Sequence, residues 1–425
     1  RRGDRARPLP GGPGALRERQ RHAGLGGDPA LSRPDPAGGR GPSRRTALLL
    51  AAGGLAQLSL PGAVPARPAA AASDEYAEVS ALLAERARAL GAGSPPLPLR
   101  AGYRNLLLGP VDRAGRSTAT AELTVTVTGY DEQPVVHPRR LTLLRTAGGP
   151  RIEREEGAGG PPPLWDLGTV GAAAGARCLV LGVDGADTGG PAARAGAAVV
   201  GDRAVSAVEA LWGSSWAGRL LLELPATGEQ FARLLADDRP GWSDLAAVTV
   251  SAPGAPLHAP ADRVLVNPEV YARLSDFGRQ VVVTHEAVHV ATRADTRAWT
   301  PLWLSEGVAD WTGYRDSGRT ARQIAPELAR DVAAGRLPVA LPADAALTAG
   351  GEGLAQAYEQ SWLACDLIAR RYGPQRLVAL YRAVGAAAPG ADREAWLDGL
   401  FRDRLGLGLA GFTRLWLAEV RALAG

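Results

Sequence analysis

Apolar positions set the first element. In residues 75–90, Tyr76, Val79, Leu82, Leu83, Ala87 and Leu90 recur at helical spacing, and Gly91-Ala92-Gly93 stops the pattern. The period then changes to two. Residues 121–128 alternate apolar and polar side chains and are rich in β-branched types, which predicts a strand. Residues 140–145 and 151–155 read as further strands. A helix followed by antiparallel strands predicts a small α+β domain over residues 73–156. The Gly/Pro run 157–163 then reads as a linker. Beyond it, strands are expected at 177–182, 220–224, 247–250 and 263–267, interleaved with helices at 195–211 and 231–237. From residue 354 the pattern is helical throughout: 355–371, ended by Tyr372-Gly373-Pro374, then 375–384, 393–404 and 411–423. The expected fold class is α+β, with a mixed sheet-and-helix lobe at 164–350 and a helical lobe at 351–425.

Within the second unit, His285-Glu286-Ala287-Val288-His289 spells H-E-x-x-H in an apolar stretch. On a helix, residues i and i+4 lie one above the other, with Cβ atoms about 5–6 Å apart. Two imidazoles at that spacing can converge on one zinc ion. Glu286 sits about 100° around the helix from His285 and can reach water at such a site, which is the arrangement of a metal-activated hydrolase with a carboxylate base. The alternative is two core-facing histidines on an ordinary buried helix. The chain has five histidines, His22, His137, His258, His285 and His289, so two at a chelating interval is not scattered usage. A third donor is available downstream. Pro301 suits a first helical turn. Glu306 and Asp310 then share a face, the first placed to ligate and the second to accept a hydrogen bond from a ligand imidazole. The alternative, a solvated acidic face, has to account for Trp303, Leu304, Val308, Ala309 and Trp311 around them.

H-E-x-x-H followed by E-x-x-x-D resembles the gluzincin group of zinc peptidases, the thermolysin-like arrangement. The segment Trp303-Leu304-Ser305-Glu306-Gly307-Val308-Ala309-Asp310-Trp311 is similar to that of peptidase MA-like proteins of high-GC actinobacteria. The 16 residues between His289 and Glu306 are slightly fewer than in the best-known gluzincins. The resemblance implies a zincin-type lobe, a mixed sheet plus a metal-binding helix, above the helical C-terminal lobe, with the metal between them. It implies Zn2+ on His285, His289 and Glu306, with Glu286 as general base and Asp310 orienting a ligand. It also implies an oxyanion donor, for which Tyr358 of the C-terminal lobe is the candidate, with packing or helix capping as its alternative, and Tyr314, just past the Glu306 helix, the reserve. An edge strand that pairs with extended substrate is expected next to the metal helix, with 263–267 the candidate and an interior strand the alternative. The implied activity is hydrolysis of a peptide or protein substrate. A non-catalytic, zinc-containing cell-envelope binding module is the other reading, and a metal-free structural domain a third. By layout, residues 73–156 resemble cystatin-like or nuclear-transport-factor-two-like domains, and could mask the cleft.

Composition refines this picture in two places. All 48 basic residues counted as Lys or Arg are Arg, and 11 of them fall in residues 1–45 against Asp4, Glu18, Asp28 and Asp35. The remaining 37 Arg face 40 acids, so the folding part has no basic excess and a nucleic-acid partner is not expected. Residues 1–72 read as a leader. Residues 1–42 lack apolar periodicity and are expected to be disordered. Ser43-Arg44-Arg45-Thr46-Ala47-Leu48 opens an apolar run to Leu60, and small residues follow at 69–72. This resembles a twin-arginine export signal at Arg44-Arg45, with a plain secretory signal as the alternative. The expected location is outside the cytoplasm, with membrane contact only through the signal. Cys178 and Cys365 are the two cysteines, open to a disulfide or to two separate buried thiols. His137 is expected on the surface, and His258, in a Pro-flanked loop, is expected to be dispensable.

Overall fold

The computed structural model describes residues 69–92, 97–185, 190–235, 245–250, 261–347, 353–389 and 392–424. Residues 1–68, with the expected disordered stretch and the Arg44-Arg45 pair and apolar run of the expected export signal, and His258 lie outside the described residues, while the small residues 69–72 fall within them.

The first unit is a helix on a sheet. Helix α1 (Ala69–Leu90) packs on strands β1 (Leu99–Leu108), β2 (Arg116–Val127), β3 (Val135–Thr146) and β4 (Gly149–Gly157), which pair consecutively and antiparallel. Strand β2 shows why. Ala119, Ala121, Leu123, Val125 and Val127 are buried, while the residues between them face outward. Val79 and Leu83 of α1 close that inner face. Strand β1 is not legible from the pattern because a register shift between Arg104 and Leu107, with Asn105 at φ 56°, breaks its alternation. His137 departs from the surface expectation. It lies in β3, is half-buried, and packs edge-on against Trp165 with ring centroids 5.8 Å apart. Burial, reinforced by the charge of Arg139, pushes its imidazole down to about 4.

A short 3-10 turn (Leu164–Asp166) leads into a five-stranded sheet of β5 (Val170–Ala174), β6 (Cys178–Val183), β7 (Leu220–Leu224), β8 (Ala247–Val250) and β9 (Arg263–Val266). The order is β5-β6-β7-β9-β8. The central three strands run parallel, and β5 and β8 are antiparallel at the two edges. The central strands are covered on both sides, which is why Cys178–Val183 reads as an unbroken apolar run. Helices α2 (Gly190–Trp212) and α5 (Asp276–Thr292) pack together on one side. Gly201 lies within α2 because a Cβ there would stand 2.3 Å from Cys178 Sγ.

Helix α3 (Gly228–Leu235), Leu164, and Leu97 and Val127 of the first unit share the apolar cluster on the other face. Among the described residues, two ion pairs join the first unit to the rest. Asp131 accepts from both terminal nitrogens of Arg263 at 2.6 and 2.8 Å and from the Ala261 amide at 2.9 Å. Arg139 donates to both oxygens of Asp166 at 2.6 and 3.1 Å. The first unit therefore docks on the sheet face opposite α5. A cavity of about 930 Å3 opens beside this junction, lined by Arg86, Arg139, Glu155, Trp165, Asp166 and Arg233 among others.

The edge-strand expectation is corrected here. Strand β9 is interior, between β7 and β8, and among the described residues β8 is the edge strand beside α5. Val264 and Val266 enter the core under α5, while Leu265 enters the opposite cluster. A strand buried on both faces leaves no sign of its place in the sheet.

The remaining elements are helical: α4 (Pro268–Ala272) before α5, then α6 (Leu302–Tyr314), α7 (Ala321–Ile324), α8 (Pro326–Ala333), a 3-10 turn (Asp344–Leu347), α9 (Leu354–Tyr372), α10 (Pro374–Ala386), α11 (Arg393–Leu405) and α12 (Leu409–Ala422). Helix α6 lies between α5 and α9. Gly307 sets the α6–α9 approach, since a Cβ there would fall 2.4 Å from Ser361 O and 2.7 Å from Cys365 Sγ. Phe401, Phe412 and Trp416 bury fully and fill the base of the lobe, where Trp303 of α6 joins the first two rings. Cys178 and Cys365 are two separate buried thiols, the second of the alternatives left open by the sequence. Among the described residues, no helix is long and apolar enough to cross a membrane.

Candidate metal centre

Helix α5 starts cleanly because Ser275 accepts the Gly278 amide at 3.1 Å as its N-cap. Its middle is buried on every side. Val281, Val283, Ala287 and Val288 are buried against the sheet, α2 and α6, so His285, Glu286 and His289 are buried with them. Arg293 at the C-terminal cap pairs with Asp262 at 2.8 Å, tying the end of α5 to the start of β9. Helix α6 is fixed at its start by Asp344, which accepts the Leu302 amide at 2.7 Å. Those two anchored ends bring Glu306 and Asp310 against the α5 histidines.

The donors converge. His285 Nε2 and His289 Nε2 are 3.1 Å apart, His285 Nε2 to Glu306 Oε2 is 3.2 Å, and His289 Nε2 to Glu306 Oε1 is 3.6 Å. In a tetrahedral set with bonds of about 2.0–2.1 Å, neighbouring donor atoms stand about 3.3–3.4 Å apart. The three side chains present that spacing, and this buried group could hold a metal ion. Asp310 Oδ1 accepts from His285 Nδ1 at 2.7 Å, which turns Nε2 toward the other two donors. Asp310 thus stands on the far side of the His285 ring from the other two donors.

The electrostatics of this set favour a proton on His285. Burial opposes charge on His285, but the Asp310 and Glu306 carboxylates outweigh it and push the imidazole up to about 10. Without metal the imidazolium therefore persists through neutral pH, and its stabilisation of the fold, complete below about 6.5, is lost as pH rises through about 10. A metal takes the lone pair that this proton occupies. Metal binding at pH 7 is accordingly expected to release a proton from His285. Apparent affinity should rise close to tenfold per pH unit between about pH 7 and 9. Calorimetry in buffers of different ionisation enthalpy measures the released proton. Affinity that is flat across that range would contradict the assignment.

Glu286 lies on the sheet side of α5, where Thr249 Oγ1 of β8 donates to its Oε2 at 2.7 Å. Tyr358, on α9, is buried beside the site, its ring centroid 6.5 Å from that of His285. Tyr314 is elsewhere. It packs on Phe277, eight residues before His285 and so about 12 Å along α5. The sequence reading passed over Tyr381. Fully buried on α10, it lies 2.7 Å from Thr296 Oγ1 and donates to Ser305 Oγ at 3.4 Å, linking the helical lobe to the residue preceding Glu306. It also passed over Thr249, whose signal was a hydroxyl at the inward position of Ala247-Val248-Thr249-Val250.

Comparison with protein-family models, with curated proteins and with solved structures finds no match to this chain, so the functional reading rests on the geometry of the centre.

Proposed function

We propose that the chain is a zinc-dependent peptidase of gluzincin type. The observation that carries this reading is the pairing of a buried His285–His289–Glu306 donor set with a carboxylate, Glu286, that lies on the helix of the two histidines and outside that set. A site that only bound metal would have no use for the second acid. Two imidazoles and one carboxylate suit zinc among the common divalent ions. Zinc bound there would supply a Lewis acid for a carbonyl oxygen and would lower the pKa of water toward neutrality.

The chain's own groups do the rest. Glu286 accepts a proton from water and returns it to the leaving nitrogen. Asp310 holds the tautomer and orientation of His285. Strand β8, paired only with β9 among the described residues, offers its outer backbone groups to an extended peptide. The Tyr358 hydroxyl is proposed as the donor to the oxyanion. The first α+β unit contacts the face of the sheet away from α5, which favours a scaffold role over that of a mask. We also propose that residues 43–72 direct export and that the substrate is a peptide or protein met outside the cytoplasm.

One experiment tests the whole reading. The purified chain is assayed for metal content and incubated with a mixed peptide library, with and without chelator. The expected result is one zinc per chain and new peptide termini that vanish with chelator and return with added zinc. Full zinc occupancy with no cleavage would favour the binding module. Absence of metal affinity would overturn both.

A further inference from the structure

We propose that Thr249 is a positioning residue for Glu286, joining the edge strand to the base. This rests on the peptidase reading and deepens it. Thr249 is buried on β8, and its hydroxyl lies 2.7 Å from Glu286 Oε2 and 3.2 Å from the Glu286 backbone oxygen. The carboxylate oxygen is the nearer acceptor and the charged one, so it takes the proton of the hydroxyl. The register of β8 explains the meeting. Ala247 and Thr249 point to the α5 side and Val248 to the opposite cluster. Among the described residues of β8, Ala247 and Thr249 face α5, and Thr249 is the one that bonds to the pentapeptide.

The consequence concerns geometry. A glutamate side chain has three rotatable bonds, and the base works only while one oxygen stays within reach of water. Holding Oε2 fixes the carboxylate plane and leaves Oε1 as the proton acceptor. The restraint comes from the strand on which the substrate is proposed to lie, so pairing with the peptide and placement of the base depend on the same element. Valine has nearly the shape of threonine and lacks the donor, so Thr249→Val removes the bond at little cost in volume. Serine keeps the donor.

The experiment uses the full chain. Thr249→Val is expected to keep one zinc per chain and wild-type KM while kcat falls by about 10–100-fold, the range for losing a hydrogen bond to a charged group. Thr249→Ser should recover most of that loss, as a packing role would not. A second readout does not need activity. Thermal unfolding of the metal-free Thr249→Val, Glu286→Ala and double variants should be non-additive. Additive effects, unchanged kcat in Thr249→Val, or no recovery in Thr249→Ser would each overturn the proposal. If the wild-type chain holds zinc yet cleaves no peptide, the peptidase reading fails, and the unfolding cycle still decides whether Thr249 holds Glu286.

Discussion

Replacing Glu286 by Gln is expected to suppress peptide cleavage by at least about 10²–10⁴-fold while the chain keeps its full metal content. The reasons are local. Glutamine has nearly the size of glutamate, so the buried space on the sheet side of α5 stays filled. Its amide oxygen can still accept from Thr249, as Oε2 does at 2.7 Å in the structure. What it cannot do is take a proton from water near neutral pH. His285, His289 and Glu306 are untouched, so zinc stoichiometry should remain at one. Metal analysis and steady-state cleavage of a peptide found with the wild-type chain check both halves. Undiminished cleavage would remove Glu286 from the reaction. Loss of metal together with activity would mean that Glu286 supports the donor set and not the proton transfer.

The second large effect is expected from Glu306. It is fully buried and lies against both imidazoles, at 3.2 and 3.6 Å. Glu306→Ala leaves two histidines on one helix and removes the charge that balances the metal. Zinc affinity should fall by well over 100-fold. Asp310→Asn, which alters only the group behind His285, should stay within the loss of about 10–100-fold usual for such partners. The graded pair is more telling than either variant alone, because a merely structural acid would not order the losses in this way. Thermal unfolding provides an independent check. Wild-type chain with zinc should melt lower after chelation, since a ligand that binds only the folded state stabilises it. Glu306→Ala should melt at the same temperature with or without chelator. A chelator-sensitive Glu306→Ala would show that the donor set is a different one.

The sequence made the site legible to an uneven degree, and the reason lies in how local each relation is. His285 and His289 face the same point because four residues of helix place them there, whatever surrounds the helix. Glu306 and Asp310 follow from the same rule on a second helix. Their meeting with the histidines depends on the connection 293–301, where Thr296 lies against the Tyr381 hydroxyl and Trp299 donates to the Val384 carbonyl. Tyr381 was missed because a tyrosine in an apolar helix looks the same whether it packs or joins a buried hydroxyl chain. Thr249 was missed because its partner is 37 residues away on another element. Arg263 shows the opposite error. Its strand precedes the helix of His285 and His289 in sequence, which made it look like the edge, but strand order is set by the crossovers and not by proximity along the chain.

By itself, the sequence determined what short-range periodicity controls. That includes the helix-then-strands pattern of the first unit, the apolar central strands, the helical C-terminal part, and the two i, i+4 pairs that carry the donors. Tertiary structure alone decided which strand lies at the edge. It also put Thr249 beside Glu286, turned α6 so that Glu306 comes within 3.2 Å of His285, and let α9 close on Gly307. The physical reason is the range of the forces that specify each. Helical and strand periods are written into neighbouring residues. A buried carboxylate, a lone threonine hydroxyl and a glycine contact acquire meaning only from partners that packing brings to them.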